Sequence, residues 1–136
     1  MNDERATGRV TGTPRLLLRL EGLALLIGAT TAYFVLGGGW QVFAMLALAP
    51  DLALLGYLFG SRIGAAAYNL THSTLLPAVL LGAGLASSTP LVTLGACIWL
   101  AHVGFDRALS YGLKYSAGFS NTHLGLVGRR LASAGV

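Results

Sequence analysis

The sequence predicts an all-α protein: a four-helix transmembrane bundle with both termini in the cytoplasm and a short amphiphilic C-terminal tail. Three observations predict it. Hydrophobic residues make up 54% of the 136 residues and charged residues only 10%, at a mean hydropathy of +0.68; a soluble domain carries about 25% charged residues. The apolar residues gather into four runs. Each is long enough, at about 1.5 Å per residue, to cross a hydrocarbon core of about 30 Å. Finally, the basic residues collect on alternate connections.

The elements follow in order. Residues 1–15 are polar and basic and read as a flexible arm on the membrane surface. The first span runs from Leu16 to Leu36; it is too long for a signal-peptide core and lacks a small-residue cleavage site, so it is expected to be retained. Gly37-Gly38-Gly39 separates it from the second span, Trp40 to Phe59, and Gly60-Ser61-Arg62 separates that from the third, Ile63 to Ala86. Ser87-Ser88-Thr89-Pro90 precedes the fourth, Leu91 to Leu113, and residues 114–136 form the cytoplasmic tail. Gly56, Gly60 and Gly64 recur every fourth residue and lead into Ala65-Ala66-Ala67, a small-residue series that predicts close packing of the second and third helices. Pro50 and Pro77 fall inside spans, where each removes a backbone hydrogen bond and frees a carbonyl, that of Leu46 or Ser73, so kinks are expected there. Trp40, Trp99 and Tyr33 read as interface anchors or packing residues.

The charge distribution orients the bundle. Arg5, Arg9, Arg15 and Arg19 lie at or before the first span, Arg62 in the middle loop, and Arg107, Lys114, Arg129 and Arg130 at or beyond the end of the fourth. The other two loops contain no Lys or Arg, so the positive-inside rule puts both termini and the middle loop in the cytoplasm. The net charge of +4 is thereby assigned to anionic lipid rather than nucleic acid. The expected partners are the lipid bilayer and further copies of the chain, since four helices make a thin enclosure. The single Cys97 excludes an intrachain disulfide.

Against this background, ionisable residues inside the spans stand out, because each costs a few kcal/mol or more in a bilayer and such groups usually face one another at a functional site. Asp51 and His102 lie about 17 Å into their spans and His72 about 14 Å, which places all three in one layer. Asp106, four residues beyond His102, shares its helix face one turn nearer the cytoplasm. Tyr68 and Asn69 lie on the face of His72 and are candidate catalytic residues, with Tyr111 a further candidate contact. Glu21 brings an acid from the first span to a similar depth, and His123 in the tail either lies exposed or lines the cytoplasmic mouth. Two imidazoles and two carboxylates suit a divalent metal such as Zn or Mn, which acidifies a bound water and so supports hydrolysis. Asp51, His72, His102 and Asp106 are the candidate ligands. The same residues also suit a proton or ion relay, bis-histidine haem, or a hydrogen-bonded packing network in a non-enzymatic scaffold.

The segments RLEGLALL, LAPDLALLGYLFG, GAAAYNLTHSTLLP, WLAHVGFDRALSYGLKYSAGF and NTHLG resemble the bacterial domain-of-unknown-function 4260 family, in order, from Arg19 to Gly125. That resemblance implies a small four-helix protein of the bacterial inner membrane and no particular activity. A second resemblance is shorter. Pro50-Asp51, Thr71-His72-Ser73 and His102-xxx-Asp106 are similar in order to the membrane-bound, metal-dependent hydrolases of the LexA-binding inner-membrane group. It implies a metal-dependent hydrolase; the depth of the site is what suits a lipid-like or phosphoester substrate. That group has a second acid after its Pro-Asp and another His before its Thr-His-Ser, where this chain has Ala53 and Ala67; Glu21 or His123 would have to replace them.

Overall fold

Three of the helices in the computed structural model, which describes residues 10–113, 121–122 and 124–126, stop at a left-handed residue. Helix α1 (Gly12–Val35) ends at Gly37, φ +88°, where the Gly38 N–H returns to the Tyr33 carbonyl. Helix α4 (Leu75–Ala86) ends at Ser88, φ 51°, with Thr89 N–H on the Gly84 carbonyl. Helix α5 (Pro90–Ala108) ends at Ser110, φ 69°, with Tyr111 N–H on the Asp106 carbonyl. All three are Schellman-type ends, which satisfy carbonyls the helix leaves open. In the last case the Arg19 Nε–H also donates to the Ala108 carbonyl, at 2.9 Å, placing a cation at the negative end of α5. The fourth helix therefore stops at Ala108 and not at Leu113, as the apolar run had suggested.

The second and third apolar runs are not single helices. The second comprises α2 (Trp40–Leu46) and a 3-10 helix, Ala49–Phe59. The third comprises α3 (Ser61–His72) and α4, separated at Ser73-Thr74. Prolines account for both breaks. Pro50 sits in the first turn of the 3-10 helix and Pro77 in the first turn of α4, where a missing N–H costs least. The expected kinks are thus complete interruptions. A short antiparallel pair, β1 (Asn121–Thr122) and β2 (Gly125–Leu126), adds the only strands among the described residues, and Leu124 between them is fully buried. The rest of the predicted tail, and most of the N-terminal arm, lie outside the described residues.

Packing centres on α5, which buries Ala96, Cys97, Ile98, Leu100, Ala101 and Val103 between α1 and α4. Two apolar clusters form along it: Ala29 with Leu100 and Ala101, and Tyr33 with Cys97 and Ile98, both covered by Phe43 of α2. Tyr33, 1% exposed, is a packing residue; its hydroxyl donates to the Gly39 carbonyl. Lower down, α1 and α5 meet backbone to backbone at Gly22 and Gly104. The 3-10 helix packs on α3. Gly56 lies against Gly64 and Ala67, and Gly64 against the Tyr57 ring, as the small-residue series predicts. Gly60 serves differently: at φ +111° it makes the turn and has open space around it.

Among the described residues, two segments are long and apolar enough to cross a membrane, Gly12–Val35 and the composite Trp40–Phe59. Their large side chains face outward. Val35, Met45, Leu58 and Phe59 are each at least 75% exposed, with Leu75 and Leu91 similarly bare elsewhere. An apolar surface of this extent calls for lipid or protein cover.

Candidate metal centre

The two helix breaks bring the polar residues together. Where the second run unwinds, the Asp51 N–H bonds the Leu48 carbonyl, at 3.0 Å, and the Ala47 carbonyl is left to accept from a side chain. It accepts from His102 Nδ1–H at 2.6 Å. Where the third run unwinds, the Thr71 carbonyl accepts the Trp99 indole N–H, which ties α5 to the end of α3. Trp99 is therefore neither an interface anchor nor simple packing. His72 is the last residue of α3, and its Nδ1 lies 3.0 Å from the Tyr68 carbonyl.

Asp51, His72, His102 and Asp106 converge on one point. His72 Nε2 is 3.0 Å from His102 Nε2, 3.1 Å from Asp51 Oδ1 and 3.3 Å from Asp106 Oδ2. His102 Nε2 is 3.3 Å from Asp51 Oδ1 and 3.4 Å from Asp106 Oδ2. The four ligand atoms all lie within 4.8 Å of one another. The two layers expected from helical rise are thus one cluster, because the i,i+4 spacing lets Asp106 reach the level of His102. Burial is uneven: both histidine side chains are 3% exposed, Asp106 13% and Asp51 38%.

The protonation pattern follows from the partners. A backbone carbonyl can only accept, so both Nδ1 atoms carry hydrogen. In neutral imidazoles this leaves both Nε2 atoms as acceptors, and they face each other and two carboxylate oxygens. Lone pairs that face one another at 3.0–3.4 Å repel unless a proton or a cation lies among them. The five contacts that involve a histidine are close to the spacing a central cation needs, and the two carboxylate oxygens lie within 4.8 Å of each other. A tetrahedral ion with ligand bonds of about 2.0–2.1 Å separates its ligands by about 3.3–3.4 Å. A porphyrin does not fit, since the carboxylates lie where a haem plane between the histidines would pass.

The remaining candidates fall into place around the cluster. The Tyr68 ring stacks on His72, with centroids 3.7 Å apart and planes at 9°, and its hydroxyl faces Asp106 Oδ2 at 3.5 Å. Thr71 Oγ1 lies 2.9 Å from His72 Nδ1 and within 3.3 Å of the Pro50 carbonyl. Asn69 is half-buried, and its carbonyl accepts the Ser73 N–H at the end of α3. Tyr111 lies beyond the end of α5, 43% exposed, with its backbone N–H on Asp106. Glu21 is not in the cluster; it is exposed on α1 and pairs electrostatically with Arg107. His123 lies outside the described residues. Sequence reasoning missed the parts played by Trp99 and the Ala47 carbonyl, for which the two prolines were the signal, and it placed Thr71 only in a motif beside His72.

Beside the cluster runs an apolar groove of about 300 Å³, lined by Leu46, Pro50, Thr71, Ile98 and Trp99 among others. Pro50 and Thr71 adjoin the cluster residues Asp51 and His72, and Ile98 is one turn before His102.

A family model described as Domain of unknown function (DUF4260) matches residues 15–127. The chain belongs to this family. The match covers all four cluster residues and, apart from the first three residues of α1, every helix, so the cluster lies within the family domain. No curated protein and no solved structure matches the chain significantly.

Proposed function

We propose that this chain is a multi-pass protein of the bacterial cytoplasmic membrane with a mid-depth divalent-metal centre of hydrolase type, acting on a lipid-like ester or phosphoester. The ligands are Asp51, His72, His102 and Asp106, with Tyr68 and Asn69 in support. One observation carries the reading: two histidine Nε2 atoms and two carboxylate oxygens face a common centre, each Nε2 lying 3.0–3.4 Å from the other three atoms. A proton on one Nε2 would pair that imidazole with the other histidine and both carboxylates, whereas an ion at the centre engages all four atoms at once. Zinc suits this set better than manganese, which favours oxygen ligands in octahedral geometry. Zinc supplies Lewis acidity and a water acidified to near neutral pH.

Four crossings are supported by α1, the α2/3-10 composite, the α3/α4 composite and α5, with the bases placing both termini in the cytoplasm. The lipid-like substrate is supported by the groove beside the ligands. Its polar wall atoms are already paired: the Trp99 N–H on Thr71, and the Thr71 hydroxyl within reach of the Tyr68 and Ala67 carbonyls.

Elemental analysis tests the centre. Purified wild type is expected to carry about one zinc per chain, and His72→Ala and His102→Ala almost none. Metal-free wild type after neutral-pH purification without chelator removes the reading. Tyr68→Phe keeps the stack on His72 but loses the hydroxyl facing Asp106, and is expected to weaken zinc binding about 10-fold. Unchanged affinity in a competition titration would show that the hydroxyl does not support the site.

A second reading, a non-enzymatic ion carrier, draws on one feature. Helix breaks at mid-depth beside a cation site are the architecture of secondary transporters. Zinc-dependent flux in proteoliposomes, abolished in Asp51→Asn, would favour it over hydrolysis.

A further inference from the structure

We infer that Asp51 is the exchangeable ligand of the metal centre, and that its position is where an incoming oxygen donor binds. This rests on the metal reading above. The four ligands are not held alike. His72 is fixed by the Tyr68 carbonyl at 3.0 Å and by the stacked Tyr68 ring. His102 is fixed by the Ala47 carbonyl at 2.6 Å. Asp106 is faced by the Tyr68 hydroxyl at 3.5 Å. The Asp51 carboxylate has only the two histidines as polar side-chain contacts among the described residues, at 3.1 and 3.3 Å. It is also the most exposed of the four, 38% against 13% for Asp106 and 3% for each histidine.

Local structure adds to this asymmetry. Asp51 is carried on the 3-10 helix, while the other three stand on α-helices. Hydrogen-bond geometry is poorer in 3-10 than in α-helix, and long 3-10 runs are uncommon in proteins. The neighbouring Ala49 and Pro50 line the apolar groove, so withdrawal of the carboxylate opens the centre toward that groove. What remains is two histidines and one aspartate around an open fourth position, the arrangement typical of catalytic rather than structural zinc. The ligand class for that position is an oxygen donor: water, a carboxylate, a hydroxamate or a phosphoryl oxygen.

Cobalt, whose visible absorption reports coordination, provides the test. Wild type, Asp51→Ala, Asp51→Asn and Asp106→Ala are titrated with cobalt in detergent, and each loaded protein is then titrated with acetohydroxamate. Asp51→Ala and Asp51→Asn are expected to hold cobalt within about 10-fold of wild type, while Asp106→Ala is expected to lose it by 100-fold or more. Acetohydroxamate is expected to change the spectrum of both Asp51 variants at lower concentration than that of wild type. Loss of cobalt from both Asp51 variants as complete as from Asp106→Ala overturns the inference, as does a spectrum indifferent to acetohydroxamate. Wild type that binds neither cobalt nor zinc overturns the metal reading itself, a different result from either.

Discussion

Zinc added to metal-free protein is expected to stabilise it against unfolding by about 4 kcal/mol at 1,000 times the dissociation constant, and to do nothing for His72→Ala. The size follows from binding to the folded state alone. The reason to expect it lies in how the ligands are distributed. Asp51 and His72 belong to the 3-10 helix and α3, which pack on each other. His102 and Asp106 belong to α5, which packs on α1 and α4. The ion would join these two packed units at the point where they meet. Without it, facing lone pairs lie 3.0–3.4 Å apart, and the two carboxylates lie within 4.8 Å of each other. Metal-free protein should therefore be weakest at this junction. The measurement is a thermal or SDS unfolding series at increasing free zinc. Equal shifts in wild type and His72→Ala would assign the effect to another site, and no shift in wild type would argue against a bound ion.

Parts of this arrangement are legible in the chain because they depend only on local period. His102 and Asp106 share a face through spacing alone, and the depths of Asp51 and His72 follow from counting residues along an apolar run. The helix breaks are a different matter. Pro50 and Pro77 announce some disturbance, but a bare proline does not say whether the chain kinks or stops. The outcome depends on who takes the freed carbonyls. Here the carbonyls taken are those of Ala47, by His102, and Thr71, by Trp99, and not the Leu46 and Ser73 carbonyls that the proline positions point to; both partners come from α5, about 28 residues or more away in sequence. Glu21 shows the complementary limit. Its run is apolar almost all round, so no face could be chosen from the sequence. Gly22 turns out to be the residue against α5, which points Glu21, about 100° further round the helix, to the outside. Tyr111 escaped for a third reason: the left-handed Ser110 ends α5 one residue before it, and nothing about a serine in an apolar context announces that conformation.

The close contact at Gly22 gives the other large expected effect. A Cβ placed on Gly104 would lie 2.6 Å from both the Gly22 carbonyl oxygen and the Leu26 nitrogen. Both are backbone atoms of α1, which cannot rotate away as a side chain would. The reciprocal atom on Gly22 would lie 2.6 Å from Arg107 Cβ and 2.8 Å from the Ala108 nitrogen. Any side chain here therefore forces the helix axes apart. Overpacking of this kind typically costs about 1–3 kcal/mol. Gly104 also stands between His102 and Asp106 on α5, so a displaced axis carries two ligands away from Asp51 and His72. Gly104→Val is accordingly expected to lose about 2 kcal/mol or more of stability and to bind zinc more weakly, although it alters no ligand. Gly28→Ala on α1 is the matched control: its Cβ would meet nothing within 4 Å, and the gain in helix propensity is worth up to about 1 kcal/mol. Melting and zinc titration of both variants decide the matter. Should Gly104→Val match wild type in both, α1 and α5 are not in backbone contact at this level, and the two ligands on α5 owe their position to something else.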